Sequence, residues 1–391
     1  MYLIKTGAVL SIDFMRELYI PNKNHTIGYS GNKIYKPMKQ ISNAIEKAEL
    51  YKRIEEFRTT KKWEHIARIN QTIALSVNEY FNKLGSAFTL LPLTTRMISS
   101  PAALYGKEHI DYTSDTVPVK LKWFNLKKDI FLSESSQIYL ELHLINENLN
   151  SVYSIYNSFR KEKSDATHLS EFHHIEFEGK ISQKENIRVM TKLIFNTIKK
   201  LLNNNIEDLS YFLYDEDIED LKKLSNSTKI KEITFDQALD VLYTSTKNPK
   251  YKKFTTKYFG SWEEVKLTKE MDNMVIISEF PLYEVAFYHA PIIDNKNREV
   301  ADNSDFIWPY YREFAGSGHR VRNMSELLIK AKKFNLPRED YKYYIQSRSS
   351  LTYKETSGFG IGWERMLQGL LKMPYIHSVA TFPRVHNTLY P

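Results

Sequence analysis

The 391-residue chain predicts an α+β fold, an antiparallel sheet flanked by helices. Two observations carry this. Strand-like runs outnumber strand–helix–strand crossovers, and the central ones follow one another through loops, as antiparallel neighbours do. No glycine-rich phosphate loop is present, so an anionic ligand would have to be gripped by side chains on strands.

Hydrophobic residues make up 42% and charged residues 26% of the chain, enough for one large or two medium domains with a real core. No apolar run reaches the roughly 18 residues of a membrane span. The opening MYLIKTGAVLSIDF lacks the long apolar region and cleavage site of a signal peptide. The absence of cysteine excludes disulfides, thiolate catalysis and Cys-ligated zinc. A cytoplasmic location is the expectation. The net charge of +8 suits an anionic partner such as ATP or RNA and equally a solvated basic surface.

Residues 1–53 read as short mixed strands and turns around Gly28, Gly31 and Pro37, without a motif. Trp63, Ile66, Ile69, Ile73, Val77, Phe81 and Leu84 recur at helical spacing, and Gly85 is a natural stop. FTLLPL (88–93), VPVKLKWF (117–124) and IFLS (130–133) read as strands, and Gln137–Leu144 as a helix. Val152–Glu178 reads as strand, polar loop, strand. Ile187, Met190, Leu193, Ile194, Ile198 and Leu201 mark an amphipathic helix. The Lys/Asn/Asp-rich stretch 203–257, with short helices, is expected as a peripheral insertion. Val275–Ile277, Val285–Tyr288 and Asp305–Pro309 read as strands, Met324–Phe334 and Glu364–Leu371 as helices. No repeat period is visible.

Three segments carry chemistry. In FRKEKSDATHLSEFHHIEFE (159–178), Arg160 ends one strand, a polar loop follows, and carboxylates line the return. A planar guanidinium there is matched to two oxygens of a phosphate; on residue types alone, a surface hairpin with ordinary ion pairs fits as well. In GFGIGWERMLQGL (358–370), Gly358, Gly360 and Gly362 alternate, leaving one strand face bare for something flat, and Arg365 opens a helix. A glycine-rich strand packed under a helix is the plainer reading. In SDFIWPYYREFAGSGHRVRN (304–323), Asp305 and Glu313 are acids suited to Mg2+, and Gly316 and Gly318 leave space before Arg320. A solvated acidic turn would look the same.

Together and in this order, the segments resemble motifs 2 and 3 of the class II aminoacyl-tRNA synthetases, with the magnesium strand between them. The resemblance is strongest to the catalytic domain of asparaginyl-tRNA synthetases. It rests on Phe159, Arg160, Glu162, His168, Leu169, Glu171, Phe172, Ile175, Glu176 and Glu178, then Gly358 to Arg365 and Phe382-Pro383-Arg384. It extends from about Arg58 to Arg384, with a motif 1 in the Trp63–Leu84 helix and Pro92.

The resemblance implies a six- to seven-stranded antiparallel sheet, dimerising through motif 1 into a homodimer, and formation of an aminoacyl-adenylate from ATP with Mg2+. Arg160 would bind the α-phosphate and Arg365 the γ-phosphate. Glu162, Phe172, His168 and Gly362 would belong to the ATP site. Glu313 would hold Mg2+, assisted by Asp305. Gln137 would grip the α-amino group, Arg320 the side-chain carbonyl, and Glu176 the amide nitrogen of asparagine. Aspartyl enzymes carry Lys three residues after the Gln; here that place holds Leu140, or Glu141 with a one-residue slip. A carboxamide donates to Glu176, whereas a second carboxylate is repelled by it. Asparagine is therefore favoured over aspartate.

The sequence departs from the family at three places. The motif 2 loop is about one residue short, with Thr167 in place of the Arg that precedes His168, and Lys161 and Lys163 nearby. His319 takes a Gln position. His173 and His174, adjacent on a strand, face opposite ways. Residues 1–55 are expected to be a short extension rather than the full OB-fold anticodon domain of that family, and 56–391 the catalytic domain. This suggests a paralogue whose acceptor is a small molecule, a protein or a minimal tRNA. The alternatives are an ammonia-dependent asparagine synthetase acting on aspartate, and an asparagine-tRNA ligase.

Overall fold

A computed structural model describes residues 52–106, 117–162, 164, 166–373, 375–386 and 389, with short strands at 19–21, 27–29 and 36–37. Most of the 1–55 extension therefore lies outside the described residues; the three strands pair antiparallel in sequence order.

Helix α1 (Lys62–Leu84) buries Trp63, Ile66, Ile69, Ile73, Val77 and Phe81, the face its spacing predicts. Gly85 ends it at φ 76°, a left-handed conformation that suits glycine. Strand β1 (Ala87–Phe88) follows, then α2 (Gln137–His143), β2 (Ser151–Phe159) and β3 (Glu171–Gly179). Helix α3 (Gln183–Asn204) starts where the Ser182 hydroxyl accepts from the Glu185 N–H at 3.3 Å. It lies beside α1, with Tyr80 donating to the Val189 carbonyl at 3.0 Å.

The stretch expected at the periphery holds α4 (Ile206–Ser210), α5 (Asp215–Asn226), β4 (Lys231–Thr234) and α6 (Phe235–Thr246). Leu209, Phe212, Ile218 and Leu221 from it join the main core, and β4 joins the sheet edge. Then come α7 (Ser261–Met271), β5 (Val275–Ser278), β6 (Asn303–Ile307), β7 (Glu313–His319), α8 (Met324–Lys333), α9 (Arg338–Gln346), β8 (Ser357–Gly362) and α10 (Trp363–Leu370).

The eight strands run in the order β4-β5-β6-β7-β8-β3-β2-β1. The six inner strands pair antiparallel, and short parallel strands close each edge. The α+β expectation holds, and the edges bring the strand count to eight. Alternation along β3 sorts its side chains: Phe177 stacks with Phe81 of α1 at 5.4 Å and with Phe359 at 5.1 Å, while Glu176 and Glu178 face the other way.

Some local readings change. Val285–Tyr288 is a turn, not a strand; its apolar residue Phe287 is buried among Phe334, Tyr341 and Tyr344 without a ladder partner. FTLLPL pairs only at its start and leaves Phe88, Leu90 and Leu93 exposed. Of VPVKLKWF only Lys120–Leu121 is strand, in a small sheet with Thr94–Thr95 and Ile130–Leu132. Helix α9 was not foreseen, because Tyr341, Tyr344 and Ile345 are too few to establish a period.

Candidate active site

The sheet face opposite α1 and α3 forms the floor of a cleft of about 920 Å³. Register explains why it is open. Asp305, Gly316, Gly360, Glu176 and Ser154 lie directly across from one another on β6, β7, β8, β3 and β2. The next row is Asn303, Gly318, Gly358, Glu178 and Val152. Four glycines thus leave the middle of the floor without side chains, and polar groups stand at its ends. Gly358 is required for a second reason: a Cβ there would collide with the Glu178 carboxylate and the Gln137 amide.

Arg160, Glu162, His168, Gln137, Glu176, Arg320, Asp305, Glu313 and Arg365, drawn from segments up to 228 positions apart (365 minus 137), all line this one cleft. Phe172 and Gly362 line an adjoining recess shared with Arg160, Glu162, His168, Glu313 and Arg365. Every residue assigned above to the ATP, amino-acid and magnesium sites is therefore brought together.

At one end, the Arg160 guanidinium lies 5.3 Å from the Phe172 ring centre, an arrangement suited to cation–π attraction. Arg365 donates to the Thr167 carbonyl at 3.2 Å and to the Glu313 carbonyl at 2.8 Å. Burial, then the charges of Arg312 and Arg160, hold its guanidinium below the ordinary arginine range. Such a convergence of cations is suited to a polyanion. Asp305 is pushed well above the usual carboxylate range by burial and by the nearby Glu313 and Glu264 carboxylates. A Cβ on Gly316 would sit 3.3 Å from Glu313 Oε1 and 3.4 Å from Asp305 Oδ1, so both acids converge over that glycine.

At the other end, Gln137 donates both to the Phe177 carbonyl at 2.7 Å and to Glu178 Oε2 at 2.6 Å. Its amide hydrogens are thereby committed, and Oε1 remains to accept from a ligand. Arg320 forms a fully buried two-pronged pair with Glu178, with Nε to Oε1 at 3.0 Å and Nη2 to Oε2 at 2.8 Å. Tyr288 lies against the guanidinium at 4.8 Å. Glu176 accepts from the Ser135 hydroxyl at 2.6 Å and the Ser136 N–H at 3.2 Å. Burial nevertheless raises its pKa to about 7. Leu140 is buried in an apolar cluster and Glu141 pairs with Arg348, so no cation enters the cleft from those positions.

His174 lines the cleft, and burial, then Arg160 and Arg365, keeps its imidazole neutral. His173 points to the other face, where Glu364 Oε1 is 2.6 Å away. His319 bonds Ser357 at 2.8 Å.

Several cleft residues escaped the sequence reading. Glu264 arrives from α7 and accepts from the Glu313 N–H at 3.0 Å and from Arg312 Nε at 3.2 Å. Glu134, three residues before helix α2, is held at a pKa of about 7 by burial. Arg312, adjacent to Glu313, was the one with a local signal.

The sequence profile of the tRNA synthetases class II (D, K and N) matches residues 46–386. The chain belongs to this family. This class II synthetase is 29% identical over 337 residues to the asparagine–tRNA ligase of Pyrococcus horikoshii, covering 85% of this chain and 71% of that protein. It is 30% identical over 335 residues to that of Koribacter versatilis, covering 83% and 70% respectively. The crystal structure of the Pyrococcus horikoshii asparaginyl-tRNA synthetase complexed with asparaginyl-adenylate superposes with a TM-score of 0.76 at 26% identity, over 94% of this chain and 83% of that one. The synthetase is accordingly an ATP-dependent ligase of the aminoacyl-adenylate-forming class. Among its described residues, no helix is long and apolar enough to cross a membrane.

Proposed function

We propose that the cleft joins asparagine to ATP as asparaginyl-adenylate, releasing pyrophosphate, and then passes the aminoacyl group to an acceptor. The observation that carries this reading is the glycine floor, with arginines and acids at the Asp305 end and a Gln137–Glu178–Arg320 network at the other. A flat, extended acyl-adenylate fits that polarity. Its phosphate end meets cations and its amino-acid end meets groups that accept from an ammonium and an amide.

In this reading Arg160 neutralises the α-phosphate and Arg365 the γ-phosphate, Glu162 and Phe172 contact the adenosine end, and His168 and Gly362 complete the ATP site. Glu313 and Asp305 would carry Mg2+, which favours one or two carboxylates plus phosphate oxygens; the ion would offset charge on the phosphates. Gln137 Oε1 accepts from the α-ammonium, Glu176 from the side-chain amide, and Arg320 donates to the side-chain carbonyl. The attacking carboxylate needs no protein nucleophile, because positioning and electrostatics carry the step. A neutral His174 between Arg160 and Glu176 adds no positive charge that would draw in an aspartate side chain. The apolar side chains exposed just after α1, Phe88, Leu90 and Leu93, support a homodimer through this edge.

The test is exchange of pyrophosphate into ATP. Asparagine-dependent exchange supports the reading. Exchange with aspartate alone, or AMP release that needs aspartate and ammonia and yields free asparagine, overturns it. AMP release stimulated by tRNA, or by another added nucleophile, identifies the acceptor.

A further inference from the structure

We propose that Arg312 is a third phosphate-binding guanidinium of this cleft, directed at the leaving pyrophosphate and filling the place where the loop before His168 carries Thr167 instead of a basic residue. The inference rests on the reading of the cleft as an ATP site.

Arg312 stands at the end of a tight turn into β7. The Trp308 N–H donates to the Arg312 carbonyl at 3.1 Å, the Tyr311 N–H donates to the Trp308 carbonyl at 2.9 Å, and Tyr310 takes a φ of 63°. A left-handed tyrosine is uncommon and persists where surroundings enforce it. Trp308 and Tyr311 are buried, so the turn is anchored in the core and its last side chain is delivered into the cleft.

The guanidinium then divides its contacts. Nε meets Glu264 Oε2 at 3.2 Å, while Nη1 reaches His168 Nε2 at 3.0 Å and Thr167 Oγ1 at 3.3 Å. Arg365 shares one of these supports, donating to the Thr167 carbonyl, and also donates to the Glu313 carbonyl. Two guanidiniums thus share the Thr167 support, and both line the same cleft as Arg160. Like charges held together against their repulsion mark a site completed by an anion. Glu264, which also accepts from the Glu313 N–H, positions Arg312 through one edge. The Nη end lies on the His168 side, beside position 167, which holds Thr rather than a basic residue. A fork rooted 145 positions away in sequence from Thr167 thereby supplies the charge.

The experiment compares the wild type with Arg312→Met, Arg312→Lys, and the double variant Arg312→Met/Thr167→Arg in asparagine-dependent pyrophosphate exchange. Arg312→Met is expected to raise the KM for ATP and for pyrophosphate about tenfold, with the asparagine KM within about twofold, the loss of one charge-assisted contact. Arg312→Lys should fall between. Thr167→Arg should recover most of the loss, which a purely structural role for Arg312 would not allow. If Arg312→Met unfolds because Glu264 is left buried and unpaired, Arg312→Met/Glu264→Gln removes both charges and gives the same readout. An unchanged ATP KM in a folded variant, an equal rise in the asparagine KM, or failure of Thr167→Arg to rescue overturns the inference. Absence of exchange in the wild type would instead refute the ATP-site reading itself.

Discussion

Asp305 and Glu176 stand on one cross-strand row, separated only by Gly316 and Gly360. Neighbouring strands lie about 4.8 Å apart, so this pair spans roughly 14 Å, about the length of a ligand that joins a phosphate to an amino-acid side chain. The row assigns each end of the cleft a chemistry, and the predictions follow from it.

At the phosphate end, Arg160→Ala and Arg365→Ala are each expected to lower exchange by about a hundredfold or more, since each removes a preorganised positive group. Steady-state exchange at saturating asparagine measures this. Near-normal activity in either variant removes that residue from the site.

In the middle of the floor, Gly358→Ala places a methyl group against the Glu178 carboxylate and the Gln137 amide. Overpacking of this kind costs about 1–3 kcal/mol, and the displaced Gln137 should raise the asparagine KM more than the ATP KM. Urea unfolding and the two KM values check it; an unperturbed midpoint would contradict the close approach.

At the amino-acid end, Glu178→Ala leaves the Arg320 guanidinium buried without its two-pronged partner. Breaking such a pair from one side costs about 3–5 kcal/mol. A loss below about 1 kcal/mol in chemical denaturation would show that Arg320 finds another partner.

Acidity should also report on Glu176. Its carboxyl is raised from 4.5 to about 7, chiefly by burial, and Glu134 is raised to about 7 in the same way. In both cases the folded state binds more protons than the unfolded state, so stability is full below about pH 4.5 and declines as pH rises to about 7. Glu176→Gln is expected to flatten part of that decline. The same titration acts on choice of substrate: above about pH 7 the ionised Glu176 accepts from an amide and repels a carboxylate, so discrimination against aspartate should grow with pH in the wild type and not in Glu176→Gln. A pH-independent preference would remove Glu176 from side-chain selection.

Helices α1 and α3 were legible because burial repeats every three to four residues, and a 3.6-residue period is written along the chain itself. The motif 2 hairpin was legible for a similar reason, since β2 and β3 are joined by one loop and pair in register from Phe159–Glu171 to Ser151–Gly179. Val285–Tyr288 misled because an apolar run has the same composition in a strand as in a turn buried under helices.

By itself, then, the sequence determined helices α1 and α3, the hairpin of β2 and β3, and most of the residues proposed to carry the chemistry. Tertiary structure alone decided the eight-strand order, the row that aligns Asp305 with Glu176, and the arrival of Glu264 and Arg312 beside Arg365. The physical reason is range. Periodicity and turn chemistry act between near neighbours, whereas strand register and converging charges depend on segments that meet only once the apolar faces have packed.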